Sequence, residues 1–512
     1  MTHSVFSDLV FGLGIALQWQ NLWWCFVGVL IGNMVGVLPG LGVLSAISIL
    51  LPLTYGLAPV PAVLMLAGIY YGAQYGGAIC SILLNLPCHP PHAVTCLDGF
   101  PMTKQGKGGT ALGITMMGSF FGASFGIVQM MFLAPLLVMA SQQFGAADIC
   151  SIMLLGLLAG STLARGSALK GVAMTVIGLL MSTVGSDPQT GQERYTFGSL
   201  HLYEGFEIVA IALGLFGIAE FMKTVNRMAP VNTAYTNVKF SDLWPSWPEF
   251  RRGAPAAFRG TIIGSMCSLI PGVGPTIASF IAYAAEKKWS KTPEKFGQGM
   301  IEGVACPEAA THSSVQGDFV PTMSLGIPGD AVMALLLSAL IIHNVQPGPQ
   351  LVTQHPDIFW GLIGSFWIGN IMLMVLNMPM IGVWVKMLAI PYKFLYPAAL
   401  FFICIGTYSI NNSLFGVMET LVIGLVGLAL MQLGFQPAPV LLGFVLGKQL
   451  EETFRRAVTI SHYDLSVFVT RPISALFLSL CAIMILTQVY FAFRKKAPAI
   501  EAALPAGPVG AD

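Results

Sequence analysis

About a dozen apolar stretches in this chain have the length a bilayer demands, and that feature restricts the fold more than any other. A spanning helix needs roughly 20 predominantly apolar residues. Such runs lie near 20–38, 60–86, 109–140, 147–164, 168–185, 206–224, 258–270, 331–345, 358–388, 394–410, 414–434 and 473–493. Only 9% of the 512 residues are charged and 55% are hydrophobic, against roughly 25% charged in a soluble domain. A soluble fold is excluded. The expected class is an all-α polytopic membrane protein with roughly 12 spans, and the partner implied by composition is the lipid bilayer.

Charge adds two exclusions. Lys plus Arg (24) and Asp plus Glu (23) nearly cancel, so neither a nucleic-acid partner nor an acidic solvating tail is indicated. The nine cysteines lack CxxC spacing, which signals neither a disulfide framework nor a zinc site and leaves most of them as small core hydrophobes. The N-terminus has no Lys or Arg before Gln20 and does not read as a cleaved secretory signal. Trp19, Trp23 and Trp24 suit an interfacial anchor.

The longest polar interruption, 225–257, carries Arg227, Lys239, Arg251 and Arg252. The positive-inside rule makes it a cytoplasmic linker between a first membrane half, 1–224, and a second, 258–493. Arg494-Lys495-Lys496 puts the tail, 494–512, on the same side, as a disordered end rich in Ala and Pro.

The two halves share a pattern. Residues 31–42 (IGNMVGVLPGLG) align without gaps to 263–274 (IGSMCSLIPGVG), with six of twelve positions identical at an offset of 232 (271 − 39). Further on, Leu84-Asn85-Leu86-Pro87 aligns with Leu325-Gly326-Ile327-Pro328 at an offset of 241 (328 − 87). Lys and Arg are distributed oppositely around these landmarks. The connection after the first Pro-Gly box, 52–61, has none, whereas the one after the second carries Lys287, Lys288, Lys291 and Lys295. Lys104 and Lys107 follow the first Leu-Pro tip, and 329–356 has none. The reading is an inverted-topology repeat with broken helices and re-entrant tips, in which 43–53 and 276–286 are half-helices.

Non-helical backbone at membrane depth survives only where it lines a cavity or is covered by protein. Half-helix N-termini offer N–H groups to anions, and C-termini offer carbonyls to cations. Candidate substrate-binding residues are therefore Ser81, Asn85, Pro87, Cys88, His89 and Pro90 at the first tip. Thr311, His312, Ser324, Gly326, Pro328, Gly329 and Asp330 are those of the second half. Gly40, Gly42, Gly272, Gly274 and Thr276 are candidates for an ion, either by their carbonyls or as backbone geometry alone. His92 and Glu308 also rank as ionisable residues at membrane depth. His89 and Asp330 occupy matching positions (330 − 89 = 241). Either they meet, with Asp330 holding His89 protonated, or they are two separately hydrated loop residues. No metal-ligand spacing, cofactor motif or catalytic constellation is present, so an enzyme is not expected. A channel or a non-transporting scaffold is the alternative to a transporter.

Gly36-Val37-Leu38-Pro39-Gly40-Leu41-Gly42, Gly68-Ile69-Tyr70-Tyr71-Gly72-Ala73-Gln74-Tyr75-Gly76-Gly77 and Leu97-Asp98-Gly99-Phe100-Pro101-Met102 resemble the large permease subunit of the tripartite tricarboxylate transporters. Pro271-Gly272-Val273-Gly274, Ile301 to Ala310, Leu325-Gly326-Ile327-Pro328-Gly329 and Gln346-Pro347-Gly348-Pro349 continue the resemblance. It implies a multi-pass permease of a bacterial inner membrane that imports a carboxylate or related small organic anion on an ion gradient, Na⁺ or H⁺. It also implies a small membrane subunit and a periplasmic solute-binding protein as partners, and leaves the oligomer open, a homodimer included. The chain departs from the family at the tips. Cys88-His89-Pro90-Pro91-His92 stands where relatives read Gly-Thr-Pro-Ser-Ser, Thr311-His312 where they read Asn-Asn, and Asp330 where a small hydroxyl residue is usual.

The charge asymmetry yields a direct test. Residues 104–107, 225–257, 287–295 and 494–512 are expected on the cytoplasmic side, with 52–60 and 346–357 periplasmic. Cysteines introduced as Gly56→Cys and Lys291→Cys should react with an impermeant thiol reagent from opposite sides; labelling from one side would end the inverted reading.

Overall fold

The computed structural model describes residues 5–38, 42–141, 143–162, 168–187, 190–225, 238–270, 272–388 and 392–493. Apart from a two-residue antiparallel ladder between Gly185–Ser186 and Glu193–Arg194, the regular structure is helical. Among the described residues, five helices are long and apolar enough to cross a membrane. Ten helices carry the argument below: α1 (Trp19–Val37), α2 (Val43–Leu50), α3 (Pro59–Leu84), α4 (Thr95–Lys104), α5 (Gly108–Ser141), α6 (Trp247–Ser268), α7 (Gly274–Trp289), α8 (Glu302–Gly317), α9 (Phe319–Leu325) and α10 (Ala331–Ile342).

Two helices form the centre. Every residue of α3 from Pro61 to Leu83 is buried, as is every residue of α8 from Gly303 to Gly317. A helix covered on all sides needs neighbours that come very close, and small residues permit this. In α1, Gly28, Gly32 and Gly36 recur every four residues and so share one face. A methyl at these positions would run into the backbone carbonyls of Met65, Ile69 and Ala73 on α3. In α6, Gly260 and Gly264 lie equally close to the carbonyls of Cys306 and Ala310 on α8. The residues of the two crossings correspond at the offsets read from the sequence: 232 from α1 to α6 and 241 from α3 to α8.

The outer surface is apolar, as a bilayer requires. Phe121, Phe125, Phe132 and Leu136 form an exposed stripe along α5, and Leu414, Met418, Leu421 and Leu425 form another on the helix Leu414–Gln432. At one end the polar groups gather. Lys107 pairs with Glu249 at 3.0 Å, Arg252 with Glu302 at 2.8 Å and Arg259 with Glu286 at 2.5 Å, while Gln105 donates to the Gln298 carbonyl. Segments 104–107, 246–259 and 286–302 therefore share that end. The Ser246 hydroxyl and backbone N–H both donate to Glu249, and these bonds hold its carboxyl below the usual range while capping α6.

Boundaries differ from the sequence reading in physically understandable ways. The helix that contains most of the stretch expected at 258–270 begins at Trp247, because the Ser246 and Glu249 cap starts it inside the expected linker. The stretch 358–388 is two helices, Pro356–Asn377 and Ile381–Met387. Val5–Ala16 and Ala438–Ile460 were not among the expected spans. The first is short, and the second turns charged after Lys448. Of the expected half-helices, α2 has 8 residues and α7 has 16. At 1.5 Å per residue both fall short of a hydrocarbon core of roughly 30 Å. Residues 226–237 of the expected linker and the tail 494–512 lie outside the described residues.

Gly32→Val and Gly264→Val should each destabilise the protein by about 1–3 kcal/mol through overpacking against a backbone carbonyl. Thermal unfolding in detergent measures this, with Gly14→Val, whose added atoms meet open space, as the control that changes little.

Candidate functional site

Both tips begin with the same backbone event. α3 ends at Asn85 with φ 57°, and α9 ends at Gly326 with φ 71°. A left-handed residue terminates a helix and turns the chain back, and asparagine and glycine tolerate that conformation best. Non-helical chain follows in each case, 86–89 with Pro87 and 327–330 with Pro328.

At the first tip the chain reversal brings Cys88 back beside α3, where its sulfur is bonded to that of Cys80. The spacing gives no sign of this pairing, although Cys25, Cys96, Cys150, Cys267, Cys306 and Cys481 are free and buried, as expected of small core hydrophobes. The pairing follows from the left-handed turn at Asn85, which returns a residue eight positions on to a Cα distance of 6.3 Å. Cys88 is thereby a brace of the tip. Ser81 donates to the Leu86 carbonyl at 3.3 Å and serves the same turn. His89 is buried beside His92, ring centroids 6.2 Å apart, against the backbone of Gly77. Pro90 then opens a short 3-10 turn, Pro90–Ala93.

From that turn His92 reaches across to the second half. Its Nδ1 lies 2.8 Å from Glu308 Oε1 and its Nε2 lies 3.1 Å from Gln74 Oε1, with both His92 and Glu308 at 0% exposure. Thr95 donates a short hydrogen bond to the same Glu308 oxygen, and Ser279 donates to the Pro91 carbonyl at 3.0 Å. The first tip is therefore tied to α8 and α7. One turn further along α8, the His312 ring meets Tyr75 edge-on at 4.3 Å. Glu308 Oε2, His312 Nε2 and His89 Nε2 are buried without a protein partner.

The second tip is tied inward in turn. Asp330 caps α10, accepting from Met333 N–H at 2.8 Å, and its other oxygen accepts from Tyr70 of α3 at 2.7 Å. The Gly329 carbonyl accepts from Gly272 N–H at 2.8 Å. The second Pro-Gly box thus lies on the second tip, and Gly274, with φ 59°, sits against the Asp330 side chain. Two side chains expected at the site are spent on their own helices: Ser324 donates to the Val320 carbonyl and Thr311 to the Pro307 carbonyl, each one turn back. Thr276 offers its carbonyl to Ser279. Gly42 precedes α2, and Gly40 lies outside the described residues.

His89 and Asp330 are not partners. Tyr70 and the N-terminus of α10 occupy the Asp330 carboxylate, while His89 faces its own tip. Sequence symmetry matched the positions but could not show which neighbour each would find. The connecting pair is instead His92 with Glu308. Both rank as ionisable residues at membrane depth, but spacing gives no reason to join them. Gln74, Thr95, Tyr70 and Asp318 are not among the site candidates that the sequence offers. Asp318, a lone acid before the apolar run 319–325, was open to detection by the rule that charge at membrane depth is costly. A separate hollow lined by Phe26, Ile368, Met372 and Val375 is wholly apolar and unsuited to an anion.

With these groups in position, the comparisons decide the lineage. Residues 22–442 match the family described as the tripartite tricarboxylate transporter TctA family. The chain belongs to that family. It is accordingly a multi-pass membrane permease and not an enzyme. Two relatives come from Agrobacterium vitis. One, an uncharacterized 52.8 kDa protein in the TAR-I ttuC' 3' region, is 48% identical over 472 residues, covering 92% of this chain and 94% of the relative. The other, an uncharacterized protein in the TAR-II ttuC' 3' region, is 49% identical over 233 residues, 46% of this chain and 96% of the relative. No solved structure matches.

His92 and Glu308 are both fully buried, so removing either leaves the other's hydrogen-bonding group stranded, at a cost of roughly 1–3 kcal/mol or more. His92→Gln and Glu308→Gln should each lower thermal stability strongly, and the double variant should fall short of the summed losses by at least about 1 kcal/mol. Additive losses would show that the pair is not coupled.

Proposed function

We propose that this permease subunit is an ion-gradient-driven secondary transporter that imports a carboxylate or related organic anion. The solute would arrive from a periplasmic binding protein, and a small membrane subunit would complete the complex, the two partners that a tripartite family implies. The observation that carries the reading is the pair of helix breaks that leaves buried nitrogen and oxygen groups of both halves, around His89, Glu308 and His312, without protein partners. Polar atoms at such depth are expensive unless they serve a ligand or pathway.

An inverted repeat would support the same reading. Equivalent crossings of α1 with α3 and of α6 with α8, and left-handed ends at Asn85 and Gly326, are what a duplicated unit would produce. The ion pairs that unite 104–107, 246–259 and 286–302 at one end agree with a common cytoplasmic side, the side that a cytoplasmic C-terminus would share. A bacterial inner membrane is the setting that the family resemblance favours.

The tips differ in character, and this refines the site. The N-terminal N–H groups of α10, which could have bound an anion, are taken by Asp330, and a fixed carboxylate repels another. The first tip has His89 with an unpartnered ring nitrogen, and His312 of α8, packed on Tyr75, has another. We assign the anion to the first tip.

The test is uptake by proteoliposomes holding the permease, the small subunit and the binding protein, using an organic acid that the binding protein retains. Saturable, gradient-dependent uptake is expected, with His89→Ala raising KM roughly tenfold, as for the loss of one charge-assisted hydrogen bond of about 1.4 kcal/mol or more. Linear, gradient-independent flux would indicate a channel.

A further inference from the structure

The side chain that the transport reading leaves unexplained is Asp318. It links α8 to α9, is fully buried, and has no hydrogen-bond partner on either carboxylate oxygen. Its backbone is well served: its N–H donates to the Ser314 carbonyl at 2.8 Å, and its carbonyl accepts from the Thr322 hydroxyl at 2.6 Å. The carboxylate alone is stranded. It points at the second tip, since an atom added to the Gly329 Cα would lie 3.0 Å from the Asp318 Cβ and Cγ and 3.1 Å from Oδ1. Among the described residues, no Lys, Arg or His pairs with Asp318 or Asp330.

A buried, unpartnered carboxylate must be neutralised by something. Its surroundings are oxygen-rich. It lies against Gly329, the chain neighbour of Asp330, whose carboxylate accepts the Tyr70 hydroxyl. All-oxygen donor sets suit hard cations. The charge count selects the valence. Asp330 already receives the Tyr70 O–H and the Met333 N–H at the positive end of α10, so the charge left over is the single one on Asp318.

We propose that Asp318, beside Asp330 and Tyr70, binds one monovalent cation, Na⁺, at the second tip. The Pro-Gly box lies on that tip through the Gly272 to Gly329 hydrogen bond, so the cation would sit where the two breaks of the second half meet. The use of that cation, as the coupling ion, rests on the transport reading; its binding does not.

The test uses the purified full-length chain in detergent with NaCl alone as the probe, against choline chloride at equal ionic strength and pH 8. The wild-type melting temperature should rise with Na⁺ and saturate. Asp318→Asn should show at least a tenfold weaker Na⁺ response, yet melt at or above the wild type in choline, because a stranded charge has been removed. That second readout separates a lost ligand from a damaged fold. Gly329→Ala, which keeps Asp318 but crowds its carboxylate, should also weaken the Na⁺ response at least tenfold. An undiminished Na⁺ response in Asp318→Asn would overturn the assignment. So would a wild type that ignores Na⁺ but is stabilised by acid through Asp318, which would make the group a proton carrier. No solute or partner subunit is present in this assay. Na⁺ binding without uptake would therefore refute the transport reading alone, and uptake without Na⁺ binding would refute only this site.

Discussion

Everything distinctive in this protein follows from the cost of leaving backbone and charged groups unpaired in hydrocarbon. An unbroken bundle would avoid that cost. This chain instead interrupts its helices at Asn85 and Gly326; protein covers 326–329 of the second interruption, whereas at the first His89 is buried and Leu86, Pro87 and Pro90 are exposed. α3 and α8, the two helices completely buried by their neighbours, can be so only because glycines in α1 and α6 let backbones nearly touch.

The polar groups introduced by the breaks are shared between halves. His92 of the first tip is bound to Glu308 of α8, Tyr70 of α3 to Asp330 of the second tip, and Ser279 of α7 to the Pro91 carbonyl. Each tip is thus held by residues far away in the chain as well as by its own neighbours. Such cross-tying suits a site that two bodies form together, and it explains why the tips can differ: one keeps histidines toward α8, the other gathers carboxylates. A site for an organic anion beside a site for a cation, as proposed here, would be the chemistry expected of coupled uptake.

Much of this was legible in the sequence, for physical reasons. Apolar length fixes which segments can span, so most expected spans lie within a few residues of observed helices, and Pro-Gly and Leu-Pro marked the breaks because those residues end helices. What depends on three-dimensional neighbours was hidden. The Cys80 and Cys88 bond follows from a left-handed turn that spacing does not reveal. Ser324 and Thr311 looked like ligands and turned out to bond their own helices. His89 and Asp330 matched in register but found different partners. Ala438–Ile460 was passed over because its charged second half, from Lys448 to Arg456, dilutes the apolar first half.

The central claim is that the two tips, together with the parts of α8 and α9 that pack against them, hold solute and ion. Hydrogen–deuterium exchange on the reconstituted permease, read peptide by peptide with and without a transported organic acid and with Na⁺ exchanged for choline, addresses it most directly. The account predicts that solute slows exchange in 85–95 and the facing part of α8, and that Na⁺ slows it in 318–333. Protection confined to other segments, or an identical pattern for solute and Na⁺ that spares both tips, would contradict it.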